Sequence, residues 1–279
     1  MKLMFFSRIH QMPNLQHAMK GFVKYIDGAK VQLDSFRCHA LILERGPWSG
    51  LERLPFRTSR SHRYNFVEGL VRAVQGCHNL NHIHGDVKLD NIMLFVAPSG
   101  GTTQYKLINF DNATRVGQPM SKHCTPEYCP PEMAKYILGH TTAPVIADSS
   151  YDVWCTAVLI LKLYSEGGTL LEFAHLNNDE ILEAIATPDF SFQRSLEAVD
   201  LPCQITKNLA KCLRVNPANR FKEIRAFDFD VCISNGMTVS GKTVAPLPSK
   251  FNHVTIEKEN DEVIHSKKED YEEGIQTTK

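Results

Sequence analysis

No stretch of 18 apolar residues occurs in the 279-residue chain. The longest candidate, Ala157 to Leu163, is interrupted by Lys162, and that excludes a bilayer-spanning helix. The opening run Met1-Lys2-Leu3-Met4-Phe5-Phe6 is too short for a signal peptide. Net charge is missing as well. Lys and Arg total 31, Asp and Glu total 31, and the formal net charge is +0. Nothing in that balance points to a nucleic-acid or membrane surface. The eight cysteines form no C-x-x-C pair, and Cys124 and Cys129 are the closest two. Scattered cysteines of this kind read as free thiols in a reducing compartment rather than as disulfides or zinc ligands. The absences together imply a soluble cytoplasmic protein with no nucleic acid and no membrane as partner. There are no internal repeats.

Hydrophobic content is 43%, enough for a sizeable core, and the length suits one or two domains. Phe66, Val67, Leu70, Val71, Val74, Cys77 and Leu80 fall on one face of a helix over 64–80. Ile92 to Val96 has strand length, Pro98-Ser99-Gly100-Gly101 reads as a turn, and Tyr105 to Ile108 reads as a second strand. Between helix and hairpin lies His84-Gly85-Asp86-Val87-Lys88-Leu89-Asp90-Asn91. It sets a carboxylate, a cation two residues on and an amide five residues on in one loop. Phosphoryl transfer needs that set: a base or orienter for the nucleophile, a cation for the migrating oxygens and a metal ligand. His78, His82 and His84 also suggest a metal cluster, with the first two at i and i+4. The helix end and the loop already account for those positions.

The 84–91 stretch resembles the catalytic loop of protein kinases, and Lys88 favours the serine/threonine branch. Three further motifs follow in family order. Asn109-Phe110-Asp111 is similar to the family's magnesium-binding Asp-Phe-Gly, with an amide at the metal position. Thr125 to Glu132 resembles the Ala-Pro-Glu segment, and Tyr151-Asp152-Val153-Trp154 resembles the start of the central helix. The resemblance implies that Glu132 pairs with Arg220 and that Asp152 supports the catalytic loop. It implies catalytic roles for Asp86 and Lys88, cofactor contacts at Glu44 and Asn91, and metal contacts at Asn91 and Asn109, with ATP and Mg2+ as cofactors. Magnesium prefers charged oxygen at about 2.0–2.1 Å, so the amide at Asn109 weakens the site. Asp111 would lie roughly 7 Å further along a strand, too far to substitute. Gly85 stands where many kinases carry an Arg that reads a phosphate on the activation segment. Activation through Ser121 or Thr125 is accordingly disfavoured.

No Gly-x-Gly-x-x-Gly and no Val-Ala-Ile-Lys-like strand precedes residue 84. Cys38 to Glu44 looks like the last small-lobe strand entering the adenine hinge. Met1 to Gln16 looks like a remnant of the regulatory helix and holds no acidic residue. The expected fold is α+β, a protein-kinase-like fold dominated by the helical C-terminal lobe with a truncated β-rich N-terminal lobe. Residues 1–46 read as the partial small lobe, 47–233 as the helical lobe, and 234–279 as a linker and charged, disordered tail. Helices are expected from Tyr151 to about Ser165, Asn178 to Thr187, Gln204 to Leu213 and Arg220 to Val231. Three function classes stay open: a kinase-like domain with lost catalysis that binds partners, an active ATP-dependent Ser/Thr kinase with a missing or divergent front, and a small-molecule phosphotransferase. Lys88, Glu132, Asp152 and Arg220 stand against the third.

Overall fold

The computed structural model describes residues 21–33, 36–46, 48–49, 60–95 and 104–222. The expected regulatory-helix remnant, the turn at Pro98 to Gly101 and the charged tail lie outside these residues. Among the described residues the first strands are an antiparallel pair, β1 (Tyr25–Leu33) and β2 (Phe36–Leu43). A short β3 (Trp48–Ser49) pairs with β5 (Ile92–Phe95), which pairs in turn with β6 (Gln104–Leu107). Between β3 and β5 come helix α1 (Arg60–Asn79) and the two-residue β4 (His82–Ile83). β4 pairs with β7 (Thr114–Arg115).

The remaining α-helices among the described residues are α2 (Pro131–Ile137), α3 (Ser149–Tyr164), α4 (Asn178–Ala186), α5 (Gln193–Ala198) and α6 (Cys203–Cys212). The sequence signal anticipated α1, α3, α4 and α6. It missed α2 and α5, which have only seven and six residues. That is under two turns, too short for a helical period to register. The helix expected to begin at Arg220 does not begin there: Arg220 and the two residues after it are non-helical. Arg220 instead closes a short turn over Pro217–Asn219.

α3 sits at the centre of the helical lobe. Every residue from Ser150 to Leu163 is buried, as expected for a helix that is apolar all round. Its first turn is capped by Asp148, whose carboxylate accepts from Ser150 N at 3.0 Å. α1 lays Phe66, Val67, Leu70, Ala73, Val74 and Cys77 into the same core. Phe173, Phe190 and Phe192 form an aromatic knot against Trp154 of α3. The residues ahead of β1 dock onto this lobe. Val23 N donates to Leu107 O at 3.1 Å, and Gly21 lies so close to α1 that a Cβ there would sit 2.6 Å from Ala73 Cα. Only glycine fits that approach.

The long-range pair expected between Glu132 and Arg220 is present and two-pronged. Arg220 donates to the Glu132 carboxylate at 2.7 and 2.6 Å. It also donates to the Arg214 and Val215 carbonyls and lies over the Trp154 ring. The Arg220 side chain is 0% exposed. Removing one partner of such a pair strands the other's charge in the interior. Arg220→Ala is therefore expected to lower unfolding free energy by about 3–5 kcal/mol, read by urea denaturation. The double variant with Glu132→Ala is expected to cost less than the sum of the singles, because the stranded charge is removed with its partner.

Candidate active site

α1 ends at Asn79, and the chain reverses through Asn81, whose φ is 57°. β4 then leads into the loop at 84–88. Val87, Leu89 and Ile92 are buried in the core, so the apolar positions of the loop face inward and pin it from below. A short 3-10 turn at Leu89–Asn91 hands the chain to β5.

The loop backbone is held from α3. Asp152 accepts from His84 N at 2.7 Å, from Gly85 N at 2.9 Å and from His78 Nε2 at 3.0 Å. Burial alone would push this carboxyl up. The His78 hydrogen bond and charge and the Gly85 amide outweigh burial and hold it below the usual carboxylate range. His84 Nε2 faces the Ile108 carbonyl at 3.0 Å. A carbonyl only accepts, so Nε2 carries the proton and Nδ1 is free to accept from Asp86 N at 3.3 Å. Burial lowers the His84 pKa, against the pull of Asp152, which keeps the ring neutral in this role.

Four of the five residues picked from sequence converge. Asp86 Oδ2 lies 3.0 Å from Lys88 Nζ and accepts from Asn91 Nδ2 at 2.8 Å. The same amide reaches the Asp86 carbonyl at 2.7 Å. Asn91 Oδ1 accepts from Asn109 Nδ2 at 3.2 Å. Glu44 belongs to a separate group at the end of β2. Its carboxylate accepts from Lys24 N at 2.6 Å and pairs with Lys106, while its own N–H donates to Lys24 O.

The sequence reading missed the part played by Thr125, which it singled out only as a phosphorylation candidate. Its hydroxyl donates to Asp86 Oδ1 at 3.1 Å and accepts from Lys88 Nζ at 2.8 Å. Thr125 thus clasps the base and the cation together. No local pattern announces a contact across 39 and 37 residues. A second pair also went unseen: Lys162 of α3 reaches Glu127 at 2.7 Å and lies over the Tyr128 ring.

One local expectation is corrected. The second strand does not run on through Asn109-Phe110-Asp111. It stops at Leu107. Asn109 then takes a left-handed conformation, φ 59° and ψ 67°, and Phe110–Asn112 form a 3-10 turn. Asn tolerates that region better than most residues. The turn leaves Asp111 on the exposed surface, so it is not two steps along an extended strand from the amide.

The donor set does not suit magnesium. The residues at the family's metal positions are two neutral amides, and the NH2 of Asn109 donates to the oxygen of Asn91. Among the described residues no group of three or more His, Cys, Asp or Glu is placed to hold a metal ion. A hard cation prefers charged oxygens, and the loop carboxylate, Asp86, is engaged by Lys88, Asn91 and Thr125.

Comparison with known proteins agrees with these motifs. The family model described as "Protein kinase domain" matches residues 39–228. The chain is 25% identical over 224 residues to the MAP kinase-activated protein kinase mak-1 of Caenorhabditis elegans, covering 74% of this chain and 39% of that protein. It is 29% identical over 182 residues to the probable serine/threonine-protein kinase fhkD of Dictyostelium discoideum, covering 62% of this chain and 24% of that protein. Against the serine/threonine-protein kinase pakC of the same organism it is 25% identical over 158 residues, 55% of this chain and 29% of the relative. The chain thus spans at most 39% of the length of these curated relatives.

Two outcomes follow from the loop anchor. Asp152→Asn is expected to lose about 1.5–3 kcal/mol at pH 7, the scale of hydrogen bonds to a charged group. Because the folded carboxyl titrates below its unfolded value of about 3.9, the wild-type advantage is complete above that value. It disappears as pH falls through the folded pKa; denaturation of both proteins across pH 7 to 2 checks this. Gly85→Arg, which restores the residue common in kinases, is expected to destabilise rather than activate. Gly85 has φ +75°, and a Cβ there would lie 2.7 Å from Asn112 O. The backbone penalty alone is about 1–2 kcal/mol, so the loss in melting temperature is the readout.

Proposed function

This chain belongs to the protein kinase domain family, in its serine/threonine kinase-like branch, and we propose that it acts as a kinase-like binding module rather than as a phosphoryl-transfer enzyme. One observation carries the reading: the hydrogen bond from Asn109 to Asn91 joins the two residues at which the family holds its metal. Phosphoryl transfer depends on charge stabilisation at the migrating group. A site that meets its own polar groups with amide-to-amide bonds lacks the negative field that recruits the cation. Glu44 supports the same view on the nucleotide side, since its N–H and its carboxylate are both engaged within the protein.

Family membership implies protein as the natural partner, and a formal charge of +0 favours protein over nucleic acid. Ile26 and Ile42 of the β1–β2 pair are 58% and 46% exposed, a surface suited to such a partner. No described helix is long and apolar enough to cross a membrane. The six described cysteines are all free thiols, which supports a cytoplasmic placement. The division into a partial small lobe at 1–46, a helical lobe at 47–233 and a tail at 234–279 belongs to the same proposal.

A second reading, an active Ser/Thr kinase, is favoured by the intact seating of Asp86, Lys88 and Asn91. One experiment separates the two. Purified protein is expected to show no rise in melting temperature with ATP and Mg2+ and no transfer of labelled phosphate to a generic protein substrate. Magnesium-dependent transfer that disappears in Asp86→Ala would establish the enzyme instead. Asn109→Asp, which returns a carboxylate to the metal position, is expected to create a magnesium-dependent stabilisation that the wild type lacks.

A further inference from the structure

A cavity of about 360 Å³ opens in the helical lobe, and none of the residues 84–91 lines it. Four pieces of chain meet there: the first turn of α2 at Glu132, the segment joining α2 to α3, the first turn of α3 and the short turn at Pro217–Asn219. Backbone bonds fix the joining segment. Met120 N donates to Val145 O and Ala147 N to Gln118 O, both at 2.8 Å. Ser149 Oγ donates to the Lys222 carbonyl at 3.0 Å, which holds the backbone of Lys222 beside the cavity. Each Glu132 oxygen accepts from Arg220, so the charge of Glu132 is matched there. Much of the lining is apolar: Ala143, Pro144, Val145, Ile146, Pro217 and Ala218. A preformed apolar recess of this size with few polar groups is the usual form of a binding site. Ile146 is 51% exposed, and a single exposed isoleucine is ordinary, but this one stands on a recess that a guest can fill.

We propose that this recess docks an extended partner segment that puts an aliphatic or aromatic side chain into the cavity and an adjacent Arg or Lys onto Asp148. The charge on the recess selects the sign of the partner. Asp148 and Lys222 both line it, but they are held differently. Asp148 is fixed as the cap of α3, accepting from Ser150 N at 3.0 Å. Its ion pair among the described residues is with Lys222 Nζ at 3.9 Å, beyond hydrogen-bond length. The Lys222 side chain is 66% exposed and that of Asp148 44%. A long exposed lysine must give up rotamer freedom to hold a ligand, whereas the capping carboxylate is already in place. A basic guest therefore gains a preorganised partner, and an acidic guest does not. Arg suits the position best, since its planar fork pairs with a carboxylate through two hydrogen bonds. Lys222 swings away when the guest arrives and so acts as a built-in competitor. The site deepens the binding-module reading and rests on it for the choice of a protein as the partner.

The test selects a random-peptide display library on the full chain, without nucleotide, and measures the enriched peptides by fluorescence anisotropy. The expected peptides carry a large apolar residue next to, or one residue from, Arg or Lys. Ile146→Ser is expected to weaken their binding about tenfold or more. Asp148→Asn, which keeps the helix cap and removes the charge, is expected to weaken it several-fold and to flatten its salt dependence. Lys222→Ala is expected to tighten it several-fold by removing the competitor. All three variants are expected to melt within a few degrees of wild type, because the side chains of Ile146 and Lys222 are exposed and Asn caps as well as Asp. No enrichment, acidic peptides in place of basic ones, binding indifferent to Ile146→Ser, or binding weakened by Lys222→Ala would each overturn the proposal. Labelled-phosphate transfer is measured separately and tests the Asp86 site alone: transfer would remove the binding-module reading with the docking result intact, and failed docking would leave the absence of transfer standing.

Discussion

Asp152 carries a carboxylate into the middle of the protein, where a bare charge would be intolerable. It is tolerated because three donors converge on it: His78 Nε2 and the backbone N–H groups of His84 and Gly85. The same bonds orient the catalytic-type loop. Asp86, Lys88 and Asn91 hold their places because the two residues ahead of them are fastened to α3, the most deeply buried helix of the lobe. The loop's geometry is thus inherited from the core. The Arg220–Glu132 pair serves α3 and the first turn of α2 in a similar way, fixing two distant parts of the chain by a charge that has nowhere else to go.

On this rigid base the polar set departs from the family pattern at Asn109. The polar groups above the loop satisfy one another: Lys88 and Thr125 on Asp86, Asn91 on Asp86, Asn109 on Asn91. A kinase-type site leaves oxygen lone pairs for a metal to claim. Here a chain of side-chain hydrogen bonds runs through the Asn91 oxygen, with neutral amides at its outer end. Such networks stiffen a site when every member is satisfied. This arrangement is the ground for the proposal of a domain that presents a fixed surface to a partner rather than one that cycles through nucleotide binding and release. Gly85 points the same way. Its left-handed backbone and the close approach of Asn112 leave no room for a phosphate-reading arginine.

Much of the architecture was legible before the coordinates. The helix over 64–80 announced itself through the spacing of Phe66, Leu70, Val74 and Cys77, because a one-sided burial leaves a one-sided pattern. The Glu132–Arg220 pair and the anchoring role of Asp152 were legible only through the family motifs, since nothing local marks residues 88 or 68 apart as neighbours. Thr125 was read as a candidate for modification, and its clasp on Asp86 and Lys88 left no trace in the linear pattern. Asn109 was read on a strand; its left-handed turn depends on how Phe110 packs against Phe22 and His84, a tertiary matter.

The sequence by itself determined which chemical groups this protein owns: an acid, a cation and an amide in one loop, an amide where a metal carboxylate is expected, and no apolar run fit for a membrane. Those are properties of residue identity and spacing, and folding cannot change them. Only the tertiary structure decided what each group is bonded to. It turned Asn109 toward Asn91 and laid Thr125 across Asp86 and Lys88. Hydrogen bonds reach only about 3 Å, and residues far apart in sequence come within that distance only after the core has set the backbone.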